Sequence, residues 1–212
     1  MFATFVGNFA TAGTHTVDVT LDVQNAIVET NEEDNSGSFT FTTNSVPDLP
    51  QPFVFPVAGE SGRDWSVGNY VDVDDRAGEF GDFRGGKFAY PGHGGFDVGV
   101  PNFSRTDEGI AVLAVADGVV VEVQDGNPDR ESGAPTVSVP ANLIVIDHGN
   151  GWRTEYAHVG RDSITVSIGD TVTRGQTIGV MASSGNSVGT ITGPHLHFGV
   201  KHNGRIVETF FG

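Results

Sequence analysis

The sequence predicts an all-β protein built from short antiparallel strands joined by turns. Apolar and polar residues alternate over several short runs, which is typical of half-buried strands. The 212 residues include 30 Gly and 10 Pro, which provide many turn positions. No apolar pattern with helical period extends beyond about one turn. The length allows one large domain or one domain with an additional piece.

Two alternating strands are predicted near the N-terminus. Every second residue from Val17 to Val23 is apolar, and Phe39 and Phe41 alternate with polar residues in the same way. Residues 31–37 (NEEDNSG) form a turn cluster between them. Because about three strands make a poor core by themselves, we interpret residues 1–46 as part of an incomplete β-sandwich.

A proline-rich segment follows, and its sequence, PDLPQP at residues 47–52, predicts a stiff extended linker. A second domain is expected over residues 53–212. Three hairpins are predicted there, the first with the Asp-Gly signature of a type I′ turn. They comprise residues 114–123 with a turn at Asp117-Gly118, residues 143–158 with a turn at 148–151, and residues 164–173 with a turn at Gly169-Asp170.

Charge and composition exclude several classes of partner and site. The 27 acidic and 11 basic residues give a formal net charge of −16, which repels nucleic acid and anionic membranes. No apolar run reaches the roughly 18 residues of a membrane span, and the N-terminal residues do not resemble a signal peptide. The sequence contains no cysteine, so any metal must be held by histidines and carboxylates.

The first candidate motif is His93-Gly-Gly-Phe-Asp97. A helix would bring side chains four residues apart onto one face, but two internal glycines disfavour a helix. We expect a loop that enters a strand at residues 96–100, with the glycines permitting a close turn around an ion. A polar turn with an incidental histidine fits the same residues.

The second motif is Gly-Pro-His195-Leu-His197-Phe. On a strand both imidazoles point to one side, while Leu196 and Phe198 point to the core. Two parallel imidazoles on a rigid strand are a common way to build a transition-metal site. The alternative is a pair of surface histidines on an edge strand, and it is less favoured because three of only seven histidines lie in these two motifs.

The third motif is Tyr156-Ala-His158, at the end of a predicted strand that begins at Trp152. Period two places His158 on the same face as Trp152, Thr154 and Tyr156. Taken by itself, His158 therefore fits a hydrogen-bonded core histidine.

Together the motifs offer three or four histidines and one aspartate, which is a ligand set for catalytic zinc. Such zinc typically keeps three protein ligands and an open position for water, lowers the pKa of that water to about 7 and polarises the carbonyl that it attacks. Additional histidines suit proton transfer and stabilisation of an oxyanion. The helical His-Glu-x-x-His arrangement is absent, which excludes the common zincin design. The residues alone do not show which of His195 and His197 is a metal ligand and which is a catalytic group.

The three motifs, in this order, resemble the signatures of the M23 (lysostaphin/LytM-type) metallopeptidases. The segment Ile164–Gly179 is also similar, and the resemblance extends from about residue 53 to 207. It implies an antiparallel β-sheet groove with a small second sheet, one zinc ion, and hydrolysis of peptide bonds in peptidoglycan stems or cross-bridges. It also implies an extracellular, periplasmic or wall-associated location.

By this resemblance the zinc ligands are His93, Asp97 and His197, and the catalytic pair beside the metal is His158 and His195. A separate resemblance, of residues 13–35 to the last strands of a CARDB-type adhesion sandwich, implies that the chain is the C-terminal part of a larger multidomain protein.

Other interpretations remain at this point. A non-catalytic M23-like module that binds the wall or regulates amidases is the alternative function, although such relatives typically lose metal ligands. A lipoyl-type carrier domain is disfavoured, since neither Lys87 nor Lys201 lies in a predicted hairpin turn. The stretch Asp64–Phe88 fits a groove loop better than a weak Ca²⁺ site, and residues 184–192 are expected to form one groove wall.

Overall fold

The structure, a computed structural model, describes residues 13–20, 36–43, 49, 51–130, 139–185 and 193–210. The described residues up to 43 belong to one compact unit, and those from 49 onward belong to another. The domain boundaries predicted above (1–46, 47–52 and 53–212) stay a prediction, because most of residues 44–50 lie outside the described part.

The first unit contains two paired strands, β1 (Gly13–Thr20) and β2 (Ser36–Thr43). They are antiparallel, with Gly13 opposite Thr43 and Thr20 opposite Ser36. The second predicted strand is therefore confirmed, and so is the first as far as Thr20. Residues 21–35, which include most of the predicted turn cluster, lie outside the described residues, whereas Ser36 and Gly37 of that cluster belong to β2. The resemblance to an adhesion sandwich stays a prediction.

The second unit is almost entirely β, which confirms the predicted fold class. Its described residues include one short helix, whose first turn is capped by the side chain of Asn102 accepting a hydrogen bond from the backbone N–H of Arg105. The elements are β3 (Ser66–Asn69), β4 (Phe96–Gly99), α1 (Phe103–Asp107), β5 (Ala111–Leu113), β6 (Gly118–Gln124), β7 (Leu143–Gly149), β8 (Trp152–Ala157), β9 (Thr171–Val172), β10 (Thr177–Val180), β11 (His195–His202) and β12 (Arg205–Ile206).

The strands of this unit form a large antiparallel sheet and a small one. The large sheet has the order β3-β4-β11-β8-β7-β6-β9, and β12 also pairs with β11. The small sheet consists of β5 and β10. The predicted small second sheet is thus present, and β4, β11 and β8 lie side by side in the middle of the large one.

One of the three predicted hairpins is confirmed. Strands β7 and β8 pair directly, with Ile146 opposite Thr154 and Asp147 opposite Arg153.

The hairpin predicted around Asp117-Gly118 is wrong, because its first arm, residues 114–116, forms no strand and the strand before it belongs to the other sheet. Strand β5 pairs with β10, whereas β6 pairs with β7 and β9. The residues between them, Ala114 to Ala116, are fully buried small side chains that cross the core. Gly118 is required by close packing, since a Cβ there would lie 2.6 Å from Cγ2 of Ile146.

The hairpin predicted at residues 164–173 is also wrong, although its turn is correct. Residues 164–168 form no strand, and β9 pairs with the start of β6 instead. Gly169 has φ +93 and donates its N–H to the carbonyl of Val120 at 2.8 Å. The turn therefore packs against β6, which takes the place of the expected partner strand.

The core lies on one face of the large sheet. Its buried cluster combines Val112 and Ile178 of the small sheet with Ile144, Tyr156 and Phe198 of the large sheet. Since side chains alternate along each strand, the opposite face of β4, β11 and β8 carries the remaining side chains, including His195 and His197 of β11.

Candidate metal centre

The register between β4 and β11 brings the first and second motifs together. His197 lies directly opposite Asp97, so both side chains point to the same face of the sheet. Leu196 and Phe198 point to the core with 0% and 2% exposure, as the alternation predicted.

His93 lies in the loop that precedes β4, and glycine allows this loop to approach β11. A Cβ on Gly95 would lie 2.3 Å from the carbonyl oxygen of Phe198 and 2.8 Å from Nε2 of His197. The glycine is therefore needed for close contact with the neighbouring strand, where the sequence had predicted a tight turn around an ion.

Three side-chain atoms form a nearly equilateral triangle at this place. Nε2 of His93 lies 3.1 Å from Oδ1 of Asp97 and 3.0 Å from Nδ1 of His197, and the last two atoms are 3.0 Å apart. Ligand atoms bonded tetrahedrally to zinc at about 2.0–2.1 Å lie roughly 3.3 Å from one another. Within the described part of the chain this is the group of His, Asp and Glu side chains close enough to hold a metal ion.

The number of protons available to these three atoms also indicates a metal site. Nδ1 of His93 donates to the carbonyl oxygen of Tyr70 at 2.7 Å, so Nε2 of the neutral ring carries a lone pair. Oδ1 of Asp97 is also an acceptor. A neutral His197 can therefore contribute at most one proton, on Nδ1, to the three contacts among these atoms. A cation at the centre satisfies all three lone pairs, and the donor set therefore fits zinc.

Asp97 is ionised in these surroundings. Its side chain is almost fully buried, and burial raises the pKa of the carboxyl group. The adjacent imidazoles of His197 and His93 lower that pKa by more, so the net pKa lies well below the ordinary value.

His158 and His195 lie next to each other beside the triangle, with ring centroids 4.7 Å apart. Nδ1 of His195 donates to the carbonyl of Gly193 at 2.9 Å, and Nδ1 of His158 donates to the carbonyl of Ser184 at 2.7 Å. Both rings therefore present a bare Nε2 when neutral, and that of His195 lies 3.8 Å from Oδ1 of Asp97. Burial lowers the pKa of His158 to about 4 and also lowers that of His195.

His158 does not continue the alternation of its strand, which corrects the predicted facing. Strand β8 ends at Ala157, and His158 has φ +65, a left-handed conformation that is uncommon for a residue with a side chain. Tyr156 remains on the core face, whereas the His158 ring lies against His195. Backbone strain of this kind is often found at functional sites.

A buried polar network that the sequence reasoning missed holds His158 in this conformation. Asn142 is fully buried and donates from Nδ2 to the carbonyls of Val159 and Asn127, while its backbone N–H donates to Oγ of Ser184. That hydroxyl donates in turn to the carbonyl of Val159. No spacing in the sequence signals these contacts, since they join segments distant in the chain.

A second set of missed residues lies in the stretch Asp64–Phe88. The carboxylate of Asp72 accepts backbone N–H groups of Asp74, Gly81 and Gly92, which organises the loop before His93. Both carboxylate oxygens of Asp72 are therefore engaged by backbone donors. Among the residues described here, this stretch forms no candidate ion site.

A pocket of about 300 Å³ adjoins the triangle. Its walls include Asp97 and His195 of the site, Ser66 and Asn69 of β3, and the residues around Gly193. Residues 186–192, predicted as a groove wall, lie outside the described part of the chain.

A comparison with known protein families matches the part of the chain that contains this site. Peptidase family M23 matches residues 92–209, which is more than half of the chain. The chain belongs to peptidase family M23. This family is zinc-dependent, and the matched range includes all five candidate site residues.

Curated relatives within M23 match the same part of the chain. The peptidoglycan DD-endopeptidase ShyA of Vibrio cholerae serotype O1 is 37% identical over 116 residues, which is 55% of this chain and 22% of ShyA. Protease LasA of Pseudomonas aeruginosa is 42% identical over 80 residues, or 35% of this chain and 19% of LasA. The chain thus spans about a fifth of the length of these relatives.

Among solved structures, a chain of the SpoIIIAH–SpoIIQ complex has the same fold, with a TM-score of 0.52 and 21% identity over 74% of this chain and 96% of that one. Within the described residues, no helix has the length and apolar character needed to cross a membrane.

Proposed function

We propose that this chain is a zinc metalloendopeptidase that hydrolyses peptide bonds of bacterial peptidoglycan, in a stem peptide or a cross-bridge. The observation that carries the proposal is the acceptor triangle of His93, Asp97 and His197 beside two histidines with free Nε2 atoms. The names of ShyA and LasA, an endopeptidase of peptidoglycan and a protease, support the substrate class.

One zinc ion would be held by Nε2 of His93, Oδ1 of Asp97 and Nδ1 of His197. When bound, zinc supplies a Lewis acid that makes water more acidic and polarises a peptide carbonyl. The hydrogen bond from His93 to the carbonyl of Tyr70 fixes the tautomer and ring orientation that such a ligand needs.

His158 and His195 would move protons in the reaction. Their low pKa values keep both rings neutral at pH 7, so each Nε2 is ready to accept a proton from water. A ring that has accepted a proton can then donate a hydrogen bond to developing negative charge, or donate the proton to the departing amine. The carbonyls of Ser184 and Gly193 keep both rings aimed at the site throughout.

The sheet face beside the triangle suits an extended peptide. Ala157 lies opposite His197 and carries only a methyl group, so the floor next to this ligand is low. Glu155 and Lys201 bound this floor as an ion pair with Oε2 and Nζ 2.8 Å apart. We propose that a peptide lies across this floor and places one side chain in the pocket of about 300 Å³. Peptidoglycan as substrate implies action outside the cytoplasmic membrane.

The test is release of peptides from purified sacculi by the zinc-loaded chain, followed by mass spectrometry of the products. Wild type should cleave the wall, and His195→Ala or addition of a chelator should abolish cleavage. His202→Ala is a matched control, because His202 lies on the same strand and its Nε2 contacts the carbonyl of Asn150 away from the site. Intact wall with zinc-loaded wild type would contradict the proposal.

The alternative function, a non-catalytic module, is not favoured. Such a module needs no metal ligands or proton-transfer groups, whereas this chain retains all five candidate residues and brings them together.

A further inference from the structure

The Asp97 carboxylate has a further polar partner, which lies outside the segment matched by the family. Nδ2 of Asn69 donates to Oδ2 of Asp97 at 3.0 Å. Strand β3, which carries Asn69, pairs with β4 and ends 23 positions before residue 92, where the family match starts. The contact is therefore a feature of this chain's preceding segment.

An irregularity in the sheet produces this contact. Ser66 lies opposite Gly99 and Val67 opposite Val98, so a regular ladder would place Gly68 opposite Asp97. The register shifts after Val67, and Asn69 takes that place. Bulges of this kind re-aim side chains and are frequent next to active sites. Here the shift replaces a residue without a side chain by an amide that reaches the carboxylate.

The contact determines which oxygen of Asp97 is available. Oδ1 belongs to the acceptor triangle, and Asp97 is 2% exposed, so Oδ2 has little access to water. An unpaired carboxylate oxygen in such a place is unfavourable and would be free to rotate toward a cation. The amide of Asn69 occupies Oδ2 and thereby leaves Oδ1 as the ligand atom.

The adjoining residues of the same segment support the other ligand on this side. The carbonyl of Tyr70 accepts the proton of His93 Nδ1, and the backbone N–H of Asp72 donates to the carbonyl of His93 at 2.9 Å. Residues 69–72 therefore contact His93 through its ring and its backbone carbonyl, and contact Asp97 through its carboxylate.

We propose that Asn69 is a positioning residue for Asp97, which restricts the ligand to one carboxylate oxygen and strengthens zinc binding. This inference rests on the proposed function for the identity of the metal. Partners that orient a metal ligand are worth about 10–100-fold in metal affinity. Asn69 also borders the pocket of about 300 Å³.

The test is the zinc affinity of the full chain, measured by competition with a chromophoric chelator. Asn69→Ala and the nearly isosteric Asn69→Leu should each bind Zn²⁺ about 10–100-fold more weakly than wild type. Ser66→Ala is the matched control, because Ser66 lies on the same strand and borders the same pocket but has no contact with Asp97. Its affinity should match that of wild type.

Two further measurements separate positioning from folding. Circular dichroism should show that the zinc-free variants keep the wild-type fold. The visible absorption of the Co²⁺-substituted protein should change in both Asn69 variants and stay unchanged in Ser66→Ala, since it reports the ligand geometry. Leucine preserves the volume at residue 69, so the inference remains testable even if the alanine variant unfolds.

The inference would be overturned if both Asn69 variants had the zinc affinity and the Co²⁺ spectrum of wild type. It would also be overturned if the wild-type chain bound no zinc. A wild type that binds zinc and loses affinity on substitution of Asn69, yet leaves sacculi intact, would support the inference while contradicting the proposed function.

Discussion

Two clusters, each containing histidine, lie on opposite faces of the large sheet and differ in how their protons are paired. The cluster on the open face contains His93, Asp97 and His197, where three acceptor atoms meet at 3.0–3.1 Å. The cluster on the core face contains His148, Thr154 and Tyr156. Both use similar side chains, so residue type alone does not distinguish them.

The core-face cluster is a complete chain of hydrogen bonds. Nδ1 of His148 donates to the carbonyl of Asp117 at 2.7 Å, and its Nε2 lies 2.7 Å from Oγ1 of Thr154. That hydroxyl lies 3.2 Å from the Tyr156 hydroxyl, which accepts the backbone N–H of Val115 at 2.9 Å. Because hydroxyl protons rotate to suit their partners, each donor in this chain has an acceptor when His148 is neutral.

The difference separates a structural cluster from a functional one. A fully paired network stabilises the fold without any ligand, whereas a group of crowded acceptors is satisfied only when a cation is added. We therefore expect the open-face cluster to control metal binding and activity, and the core-face cluster to control stability.

The largest effect is expected from Asp97→Ala. It removes the one anionic ligand and leaves two imidazoles, so zinc binding and wall hydrolysis should both be lost. Losing a Lewis acid worth several kcal/mol corresponds to a rate decrease of at least about a thousandfold. Steady-state hydrolysis of muropeptides and zinc content by atomic absorption measure the two effects. Full zinc content in Asp97→Ala would contradict the expectation that the open-face cluster controls metal binding.

The next effect is the stabilisation of the wild-type protein by zinc. A ligand that binds only the folded state at 100 times its dissociation constant adds about 2.7 kcal/mol. For a chain of this size that corresponds to an increase in Tm of about 5–10 °C. Thermal unfolding with zinc and with chelator measures it, and His197→Ala should show no difference between the two conditions. Equal shifts in both proteins would mean that zinc binds elsewhere.

The all-β fold class and the five candidate site residues could be predicted from the sequence. The facing of His195 and His197 follows from the period of two along one strand, and the all-β class follows from repeated alternation and turns. The resemblance to M23 metallopeptidases then singled out five residues, and the structure brings these together. Their roles as ligands and catalytic groups remain a proposal.

Contacts between distant segments could not be predicted. Asn69 reaches Asp97 only because the register of β3 shifts after Val67, and no residue pattern marks that shift. The Asp117-Gly118 pair has the signature of a tight turn, but tertiary packing against Ile146 determines its structure. His158 follows the strand alternation in sequence and leaves it in the structure, because its strained backbone depends on partners from elsewhere in the chain.

A smaller effect, on stability alone, is expected from Tyr156→Phe. The substitution leaves the buried N–H of Val115 without its acceptor and removes one of the two partners of the Thr154 hydroxyl. Leaving buried polar groups unpaired should lower the free energy of unfolding by about 1–3 kcal/mol. Denaturant unfolding of the zinc-free protein measures it, while the zinc affinity should stay at the wild-type value. Weaker zinc binding with unchanged stability would reverse the roles assigned to the two clusters.

The smallest effect is the dependence of stability on the protonation of His148. Burial lowers the pKa of His148, although the carbonyl of Asp117 and the charges of Asp147 and Asp117 oppose this. Since the folded protein binds the proton less readily than the unfolded chain, the contribution of His148 is present above pH 6.5 and decreases as the pH falls below that value. A proton on Nε2 would also turn the Thr154 hydroxyl toward Tyr156 and leave the Tyr156 proton without an acceptor in this chain of bonds.

Denaturant unfolding of the zinc-free protein between pH 7 and pH 5 should therefore show a shallower loss of stability in His148→Gln than in wild type. Identical slopes in the two proteins would mean that the stability of the core-face cluster does not depend on this proton.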